Sequence, residues 1–369
     1  MQSVRYAGYL GAPSGMGEAA RNFTKALVDV GVQTSAEFVP NLSISNNLGN
    51  AYEVCRQNEN RNIPYQVKII HTTPDVVRQH MEPMKYHIFH LFWETDKLPR
   101  WWVWELNHSV DEIWTGSEWN KKVFQKSGIK LPIWVCPQPI PPVEEEYVPF
   151  SVPGHSGFLF TSIFQWIERK DPKTLLMAYW KEFSGEQGVS LLMKTYKERF
   201  TSQETNDIVE QIQQWKKELN LPHYPKTYLF LDPLSRKDLF RLYKTTDCVV
   251  SAHRGEGFGI PVGEAMAMGK PVISTDLGGI HEHIPKEYWY PVKYTMRNVF
   301  NMDFVPWYDS SQMWGQIDED HLRKRMREVF SNQEEARKKG EKAQQFISKE
   351  LSYENIGLKM KKKLEGIYV

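Results

Sequence analysis

The sequence predicts an α/β protein made of two parallel-sheet halves, and three observations carry that expectation. Short apolar runs alternate with longer amphipathic stretches, the pattern of βα units wound round a parallel sheet. The alternation halts at Pro137-Gln138-Pro139-Ile140-Pro141-Pro142 and the acidic Glu144-Glu145-Glu146, then starts again. A proline cluster continues neither a helix nor a central strand, so it reads as an interdomain linker. Finally, 369 residues exceed one ordinary domain of about 100–150 residues and suit two.

The first half opens with a strand at Val4–Leu10, a glycine-bearing turn and a helix through Arg21–Val30. Further strands are expected at Val67–His71, His87–Phe92, Glu112–Thr115 and Ile133–Cys136, with a helix at Glu118–Lys126. The second half restarts with a strand at Gly157–Ser162 and a helix from Pro172 to Phe183. Strands at Ser190–Lys194, Thr227–Leu231, Asp247–Ser251 and Pro271–Ser274 follow, with a helix at Arg236–Lys244. From Asp318 onward the chain reads as charged helix, and no repeat of solenoid period is present.

Composition narrows the function classes. Hydrophobic residues at 41% and charged residues at 25% describe a folded globular chain rather than a disordered one. Lys plus Arg number 46 against 45 Asp plus Glu, which lacks the basic excess of a nucleic-acid binder. Cys55, Cys136 and Cys248 form no CxxC pair, so they read as buried free thiols in a reducing compartment. No signal-peptide pattern and no apolar run of ~20 residues is evident, and a cytoplasmic protein is expected. Lys359, Lys361, Lys362 and Lys363 crowd the last helix. They read as a solvated face, or as a weak peripheral contact with an anionic inner membrane face.

The richest stretch for chemistry runs from Arg254 to Ile273: a glycine-rich turn after a strand, then a short helix from about Pro261, then Gly269-Lys270-Pro271 into the next strand. Proline suits the first helical turn, and free N–H groups there suit anionic or polyoxygenated ligands. Glu256 sits in the loop and Glu264 about one turn inside the helix, with seven residues between them. Arg169 and Lys170, in Glu168-Arg169-Lys170-Asp171-Pro172, occupy a strand-to-helix turn where cations would stabilise a departing diphosphate. Arg clamps phosphate bidentately, whereas Lys adds a point charge.

The string of two glutamates seven residues apart, with Gly257-Phe258-Gly259 after the first and Gly269-Lys270-Pro271-Val272-Ile273 behind, resembles the signature of glycosyltransferase family 4. That resemblance implies the GT-B fold: two Rossmann-like domains facing a central cleft, with a C-terminal helix crossing back to the first. It implies an acceptor-side domain over residues 1–140, a nucleotide-sugar domain over 141–350, and the returning helix over 351–369, roughly Tyr353–Tyr368. The implied activity is retaining, metal-independent transfer of a sugar, a hexose foremost, from a nucleotide-diphosphate-sugar, UDP or GDP favoured. The receiving group would be a hydroxyl of a glycan, lipid-linked or other acceptor. The donor acts as co-substrate, no cofactor is implied, and the expected setting is polysaccharide or glycoconjugate synthesis.

By the same resemblance Glu256, Arg169 and Lys170 are the catalytic set. Donor contacts fall to Gly15, Gly17, Lys194, Leu234, Gly257, Phe258, Gly259, Ile260 and Glu264. Glu256 would lie against the donor sugar and Glu264 on the ribose. Gly15 and Gly17 belong to the glycine loop Gly11–Arg21, which matches neither a dinucleotide nor a Walker pattern. This chain departs from the family at Phe164-Gln165, where relatives place an Arg, and at Asp232, where they place Gly. Trp93 and Glu94 stand where relatives carry a sugar-contacting His, and are assigned to the acceptor side. His90 is expected in the core, and the cluster of Trp101, Trp102 and Trp104 serves either packing or sugar stacking. The alternatives are a GT-B-shaped glycoside phosphorylase or nucleotide-sugar epimerase, and a non-catalytic nucleotide-sugar-binding protein. A nicotinamide oxidoreductase is disfavoured because no Gly-x-Gly-x-x-Gly fingerprint is present.

Overall fold

A computed structural model describes residues 2–40, 48–143 and 146–367. Glu144 and Glu145 of the acidic run, and Tyr368 at the end of the expected last helix, lie outside them. The first domain runs β1 (Ser3–Gly8), α1 (Gly15–Asp29), β2 (Gln33–Phe38), α2 (Asn50–Gln57), β3 (Val67–His71) and β4 (Tyr86–His90). It continues with α3 (Arg100–Ser109), β5 (Glu112–Thr115), α4 (Glu118–Ser127) and β6 (Ile133–Val135). These strands form one parallel sheet in the order β2-β1-β3-β4-β5-β6. β3 and β5 are buried at every position, as expected of strands covered by helices on both faces.

The second domain begins with β7 (Phe158–Gln165), α5 (Pro172–Phe183), β8 (Val189–Tyr196), α6 (Ser202–Leu219), β9 (Lys226–Phe230) and α7 (Arg236–Thr245). Then come β10 (Cys248–Ser251), α8 (Ile260–Ala267), β11 (Val272–Thr275) and β12 (Tyr290–Val292). Its sheet order is β12-β11-β10-β7-β8-β9. Both sheets therefore reverse direction of winding partway across, between β1 and β3 in one and between β7 and β10 in the other. Ligands of doubly wound folds bind outside the strand ends at such switch points. A two-stranded antiparallel hairpin, β13 (Tyr294–Asn298) and β14 (Met313–Ile317), follows. The chain ends in α9 (Glu319–Ser331), α10 (Gln333–Glu350) and α11 (Tyr353–Glu365).

The expected strands are found within a few residues of their places, while several elements were not foreseen. α1 begins at Gly15 rather than Arg21, because the Ser14 hydroxyl caps it by accepting from the Gly17 N–H at 3.2 Å. The tryptophan cluster is a helix, α3, with Trp102 buried and Trp101 and Trp104 exposed. β2, α2, β12 and the hairpin lacked a clean period in the sequence.

α11 returns to the first domain, as the resemblance implied. It lies on α1, with the Tyr353 hydroxyl donating to Asn22 Oδ1 at 2.8 Å. Two of its four crowded lysines are committed to that docking: Lys361 donates to the Val30 carbonyl and Lys363 pairs with Glu112. Lys359 and Lys362 remain exposed. Among the described residues no helix is long and apolar enough to cross a membrane. The three cysteines are free and buried.

The α1–α11 contact depends on Gly357, where an added Cβ would stand 2.3 Å from the Ala26 carbonyl oxygen, a backbone atom that cannot yield. Gly357→Val should therefore destabilise the protein by about 1–3 kcal/mol through overpacking, read as a lower urea midpoint with unchanged slope. A midpoint equal to wild type would mean that α11 does not dock this tightly.

Candidate active site

The two switch points face each other across the cleft. From the second domain, the turn after β7 carries Arg169 and Lys170, and the loop after β10 carries Arg254, Gly255 and Glu256. From the first come the glycine loop after β1, the Thr72–Pro74 turn after β3 and Glu94 beyond β4.

Lys170 and Glu256 form a direct ion pair, their side chains 14% and 12% exposed. Burial works to raise the Glu256 carboxyl, but Lys170, His253 and Arg169 outweigh it and hold the group at about 2. Burial likewise pulls the Lys170 ammonium below its ordinary value, against the pull of Glu256. Arg169 donates to the Gly255 carbonyl at 2.8 Å and stands 3.7 Å from both Glu256 and Glu94. Its buried Nε–H has no hydrogen-bond partner among the described residues. Of the expected catalytic residues, all three thus meet in one cluster, with Glu94 joining from the opposite domain.

Arg254 holds this cluster together. Its guanidinium pairs with Asp171 at 2.9 Å and Glu168 at 3.1 Å, and its backbone N–H donates to the Arg169 carbonyl at 2.7 Å. Asp171 is fully buried in the left-handed region (φ 48°) and caps α5 by accepting from the Thr174 N–H at 3.1 Å. Burial raises its carboxyl to about 6 despite Arg254. The turn bearing Arg169 and Lys170 is therefore fixed by a residue of the neighbouring loop. The Asp171-Pro172 pair is an N-cap followed by proline at the first helical position, a legible start signal. The role of Arg254 had no signal beyond its place at the head of the glycine-rich string.

The domains touch closely here. A Cβ at Gly255 would lie 2.2 Å from the Glu94 carbonyl oxygen, so only glycine lets the second-domain loop meet the end of the first-domain segment. Gly257 lies against Phe92, and Phe258 is buried edge-on to Phe92 at 6.1 Å. Gly259 caps α8 in the left-handed region, and a Cβ added at Gly15 would lie 4.0 Å from the Ile260 side chain at the start of that helix. Gly17 lies in the first turn of α1, and Arg21 pins the loop by donating to the Leu10 and Ala12 carbonyls.

Glu264 stands apart from Glu256, buried on α8. It accepts from Arg236 at 2.6 Å and from the Tyr243 hydroxyl at 3.1 Å. Arg236 also reaches Glu18 of the first domain at 3.4 Å. Burial raises the Glu264 carboxyl and Arg236 opposes that shift. Lys194 ends buried among Tyr196, Phe200 and Phe230, and Leu234 is half-buried in a small apolar cluster with Phe230. Both lie at the ends of β8 and β9, outside the Lys170–Glu256 cluster. Trp93 is buried, stacked on Tyr308, and its indole N–H donates to Thr95 and to the Lys97 carbonyl. Trp93 and Glu94 both line the cleft cavity. His90 is a core residue, as expected, stacked on Phe92 and tilted against Phe23 and His71.

A family model described as glycosyl transferases group 1 matches residues 182–293, which include Lys194, Leu234, the 254–260 loop and Glu264. A segment of 51 residues is 43% identical to D-inositol 3-phosphate glycosyltransferase of Mycobacterium sp. (strain KMS), covering 14% of this chain and 12% of that relative. Among solved structures, Anabaena Alr3699/HepE in complex with UDP-glucose superposes with a TM-score of 0.69 at 14% identity, over 99% of this chain and 100% of that one. Sucrose-phosphate synthase from Thermosynechococcus elongatus gives 0.69 at 14% identity, over 100% of this chain and 99% of that one. The architecture is GT-B.

Lys194 generates a prediction. Burial lowers its ammonium to about 8 from 10.5, with Asp232 opposing. The unfolded chain then binds more protons than the folded one between those values, so this group's contribution to stability rises with pH across that window. Lys194→Met should stabilise the protein at pH 7 by about 1–3 kcal/mol, with the gain shrinking from pH 8 to 10.5. Urea titrations of both proteins across that range check it. A variant less stable than wild type at pH 7 would contradict it.

Proposed function

We propose that this chain is a retaining glycosyltransferase that moves a sugar from a nucleotide-diphosphate-sugar to a hydroxyl of a glycan, lipid-linked or other acceptor. The observation that carries this reading is the Lys170–Glu256 pair at the switch point of the second sheet, opposite the glycine loop of the first. The GT-B architecture and the match over residues 182–293 support the same reading. The UDP-glucose held by the Anabaena neighbour favours a UDP-sugar as donor.

In this reading the diphosphate lies between the Lys170–Arg169 turn and the N-terminus of α8, close to Gly15. Lys170 stabilises the charge that grows on the departing phosphate as the glycosidic bond breaks, without a metal. Arg169, tied to Glu94 and Glu256, adds a second cation beside the same anion. Glu256, kept ionised by its cationic neighbours, accepts hydrogen bonds from hydroxyls of the donor sugar. Glu264 takes the ribose: a carboxylate offers about four acceptor sites, and Arg236 and Tyr243 occupy two of them, one on each oxygen. Gly257, Phe258, Gly259 and Ile260 shape the floor, while Lys194 and Leu234 flank the nucleotide. The acceptor hydroxyl attacks from the face that the diphosphate leaves, and the leaving phosphate oxygen takes its proton. The buried free thiols suit a cytoplasmic setting.

A screen of UDP-, GDP-, ADP- and dTDP-sugars for hydrolysis and thermal stabilisation identifies the donor, since a bound donor stabilises in proportion to the logarithm of its concentration over Kd. On that donor Lys170→Ala should lower turnover by roughly two to three orders of magnitude with a smaller change in KM, because its interaction strengthens only in the transition state. Near-normal turnover would put the diphosphate elsewhere.

A further inference from the structure

We propose that the β13–β14 hairpin of the second domain is an acceptor-recognition element, and that the acceptor it selects is a carbohydrate chain. The proposal rests on the transferase reading above and adds the substrate class and the wall that reads it. A cavity of about 1270 Å³ opens beside Arg169 and Glu94. That is more than the ~300–1,000 Å³ of a pocket for one drug-sized ligand, and it leaves room beyond a single sugar ring. The hairpin loop from Phe300 to Tyr308 forms one wall.

The loop is anchored rather than loose. Val299, Met302, Tyr308 and Trp314 are buried in one apolar cluster with Trp93 and Trp102 of the first domain. Asp96 and Met313 exchange backbone and side-chain hydrogen bonds of 2.9 and 2.6 Å across the domains. Phe304 is excluded from this anchor: it lines the cavity while 70% exposed. An apolar ring presented by a fixed loop costs solvation in the free protein, and a ligand face stacked on it removes that cost. On the opposite wall Trp166 and Trp215 stack at 5.8 Å and 17°.

Polar side chains are interspersed among these rings and the apolar lining. Gln165, Lys173, Glu198, Gln211, Arg297 and Gln316 place amide or charged groups around the space. An acyl chain would leave such groups desolvated without partners. A carbohydrate offers apolar ring faces to the aromatics and hydroxyls to the polar groups. At the inner end the Tyr308 hydroxyl donates to Glu94 Oε2 at 3.1 Å, and Glu94 Oε1 faces Arg169. The reacting hydroxyl sits at Glu94, with Tyr308 as the positioning residue, and the remaining sugars run outward over Phe304.

The test uses the full chain and its best donor. Donor hydrolysis is measured first. Neutral gluco-, galacto- and manno-oligosaccharides of one to five units are then offered as acceptors, alongside a lipid-linked hydroxyl in phosphatidylglycerol vesicles. At least one sugar series should accept, with acceptor KM falling as the chain lengthens. Phe304→Ala, an exposed position, should raise the KM of the longer acceptors by roughly 3- to 10-fold and remove the advantage of length. Tyr308→Phe should lower kcat more than acceptor KM. Donor hydrolysis with no length dependence, with an unchanged KM in Phe304→Ala, or with transfer to the vesicle-borne acceptor alone would overturn the proposal and leave the transferase reading intact. Absence of any donor binding or hydrolysis would remove both.

Discussion

Arg254 is the residue on which the geometry of the site depends. It joins the turn after β7 to the loop after β10, the two strands that flank the switch point of the second sheet. Neighbouring parallel strands set only the roots of their loops. The tips, where Lys170 and Glu256 meet, need a cross-link of their own. Arg254, itself buried, supplies it with the buried Asp171, the half-buried Glu168 and the Arg169 carbonyl. Removing one partner of such a buried pair typically costs about 3–5 kcal/mol, because the other charge stays without compensation. The left-handed Asp171 is held in a conformation that costs energy by the same contact. Rigidity at this point is what lets a cation be aimed rather than merely present.

The charges around that turn alternate in sign across the cleft: Glu94, Arg169, Glu256, Lys170. In this buried setting Lys170 and Arg169 hold the Glu256 carboxylate ionised, and Glu94 and Glu256 favour the charged Arg169 guanidinium, so the cluster carries cations without the full penalty of isolated burial. In the proposed function, a diphosphate entering here would exchange part of the Glu256 interaction for its own, and the cations would already be aimed at the moment of reaction. A second chain, Glu264–Arg236–Glu18, crosses the domains on the other side of α8. Glu282 adds a third link by accepting from the Glu118 and Trp119 N–H groups at the start of α4. The two halves are thus joined by polar contacts that a ligand can exchange, rather than by apolar packing alone.

Much of this was legible in the sequence, and the remainder fails for identifiable reasons. Buried parallel strands such as Val67–His71 announce themselves as apolar runs, and the Asp171-Pro172 start of α5 carries its own capping signal. The glycine-rich string located Glu256 and Glu264 because its spacing is local. Tyr308 and Glu94 lie more than 200 residues apart and meet only through the hairpin, so no window of sequence joins them. The setting of Trp93 is equally non-local: its indole N–H donates to Thr95 and the Lys97 carbonyl, and its ring stacks on Tyr308 of the hairpin while lining the cleft cavity. The hairpin itself was hidden because β13 is short and mostly exposed and β14, Met313-Trp314-Gly315-Gln316-Ile317, shows no period-2 alternation.

The most direct measurement is a double-mutant cycle on donor turnover with Lys170→Met, Glu256→Gln and the pair, each checked for its folded midpoint. If the two side chains act as one unit held by Arg254, the double variant should be hardly slower than the worse single variant. The coupling should then exceed about 1.4 kcal/mol, a factor of ten in rate. Strictly additive losses would mean that Lys170 and Glu256 act independently, and that their pairing at the cleft is not the centre of the site.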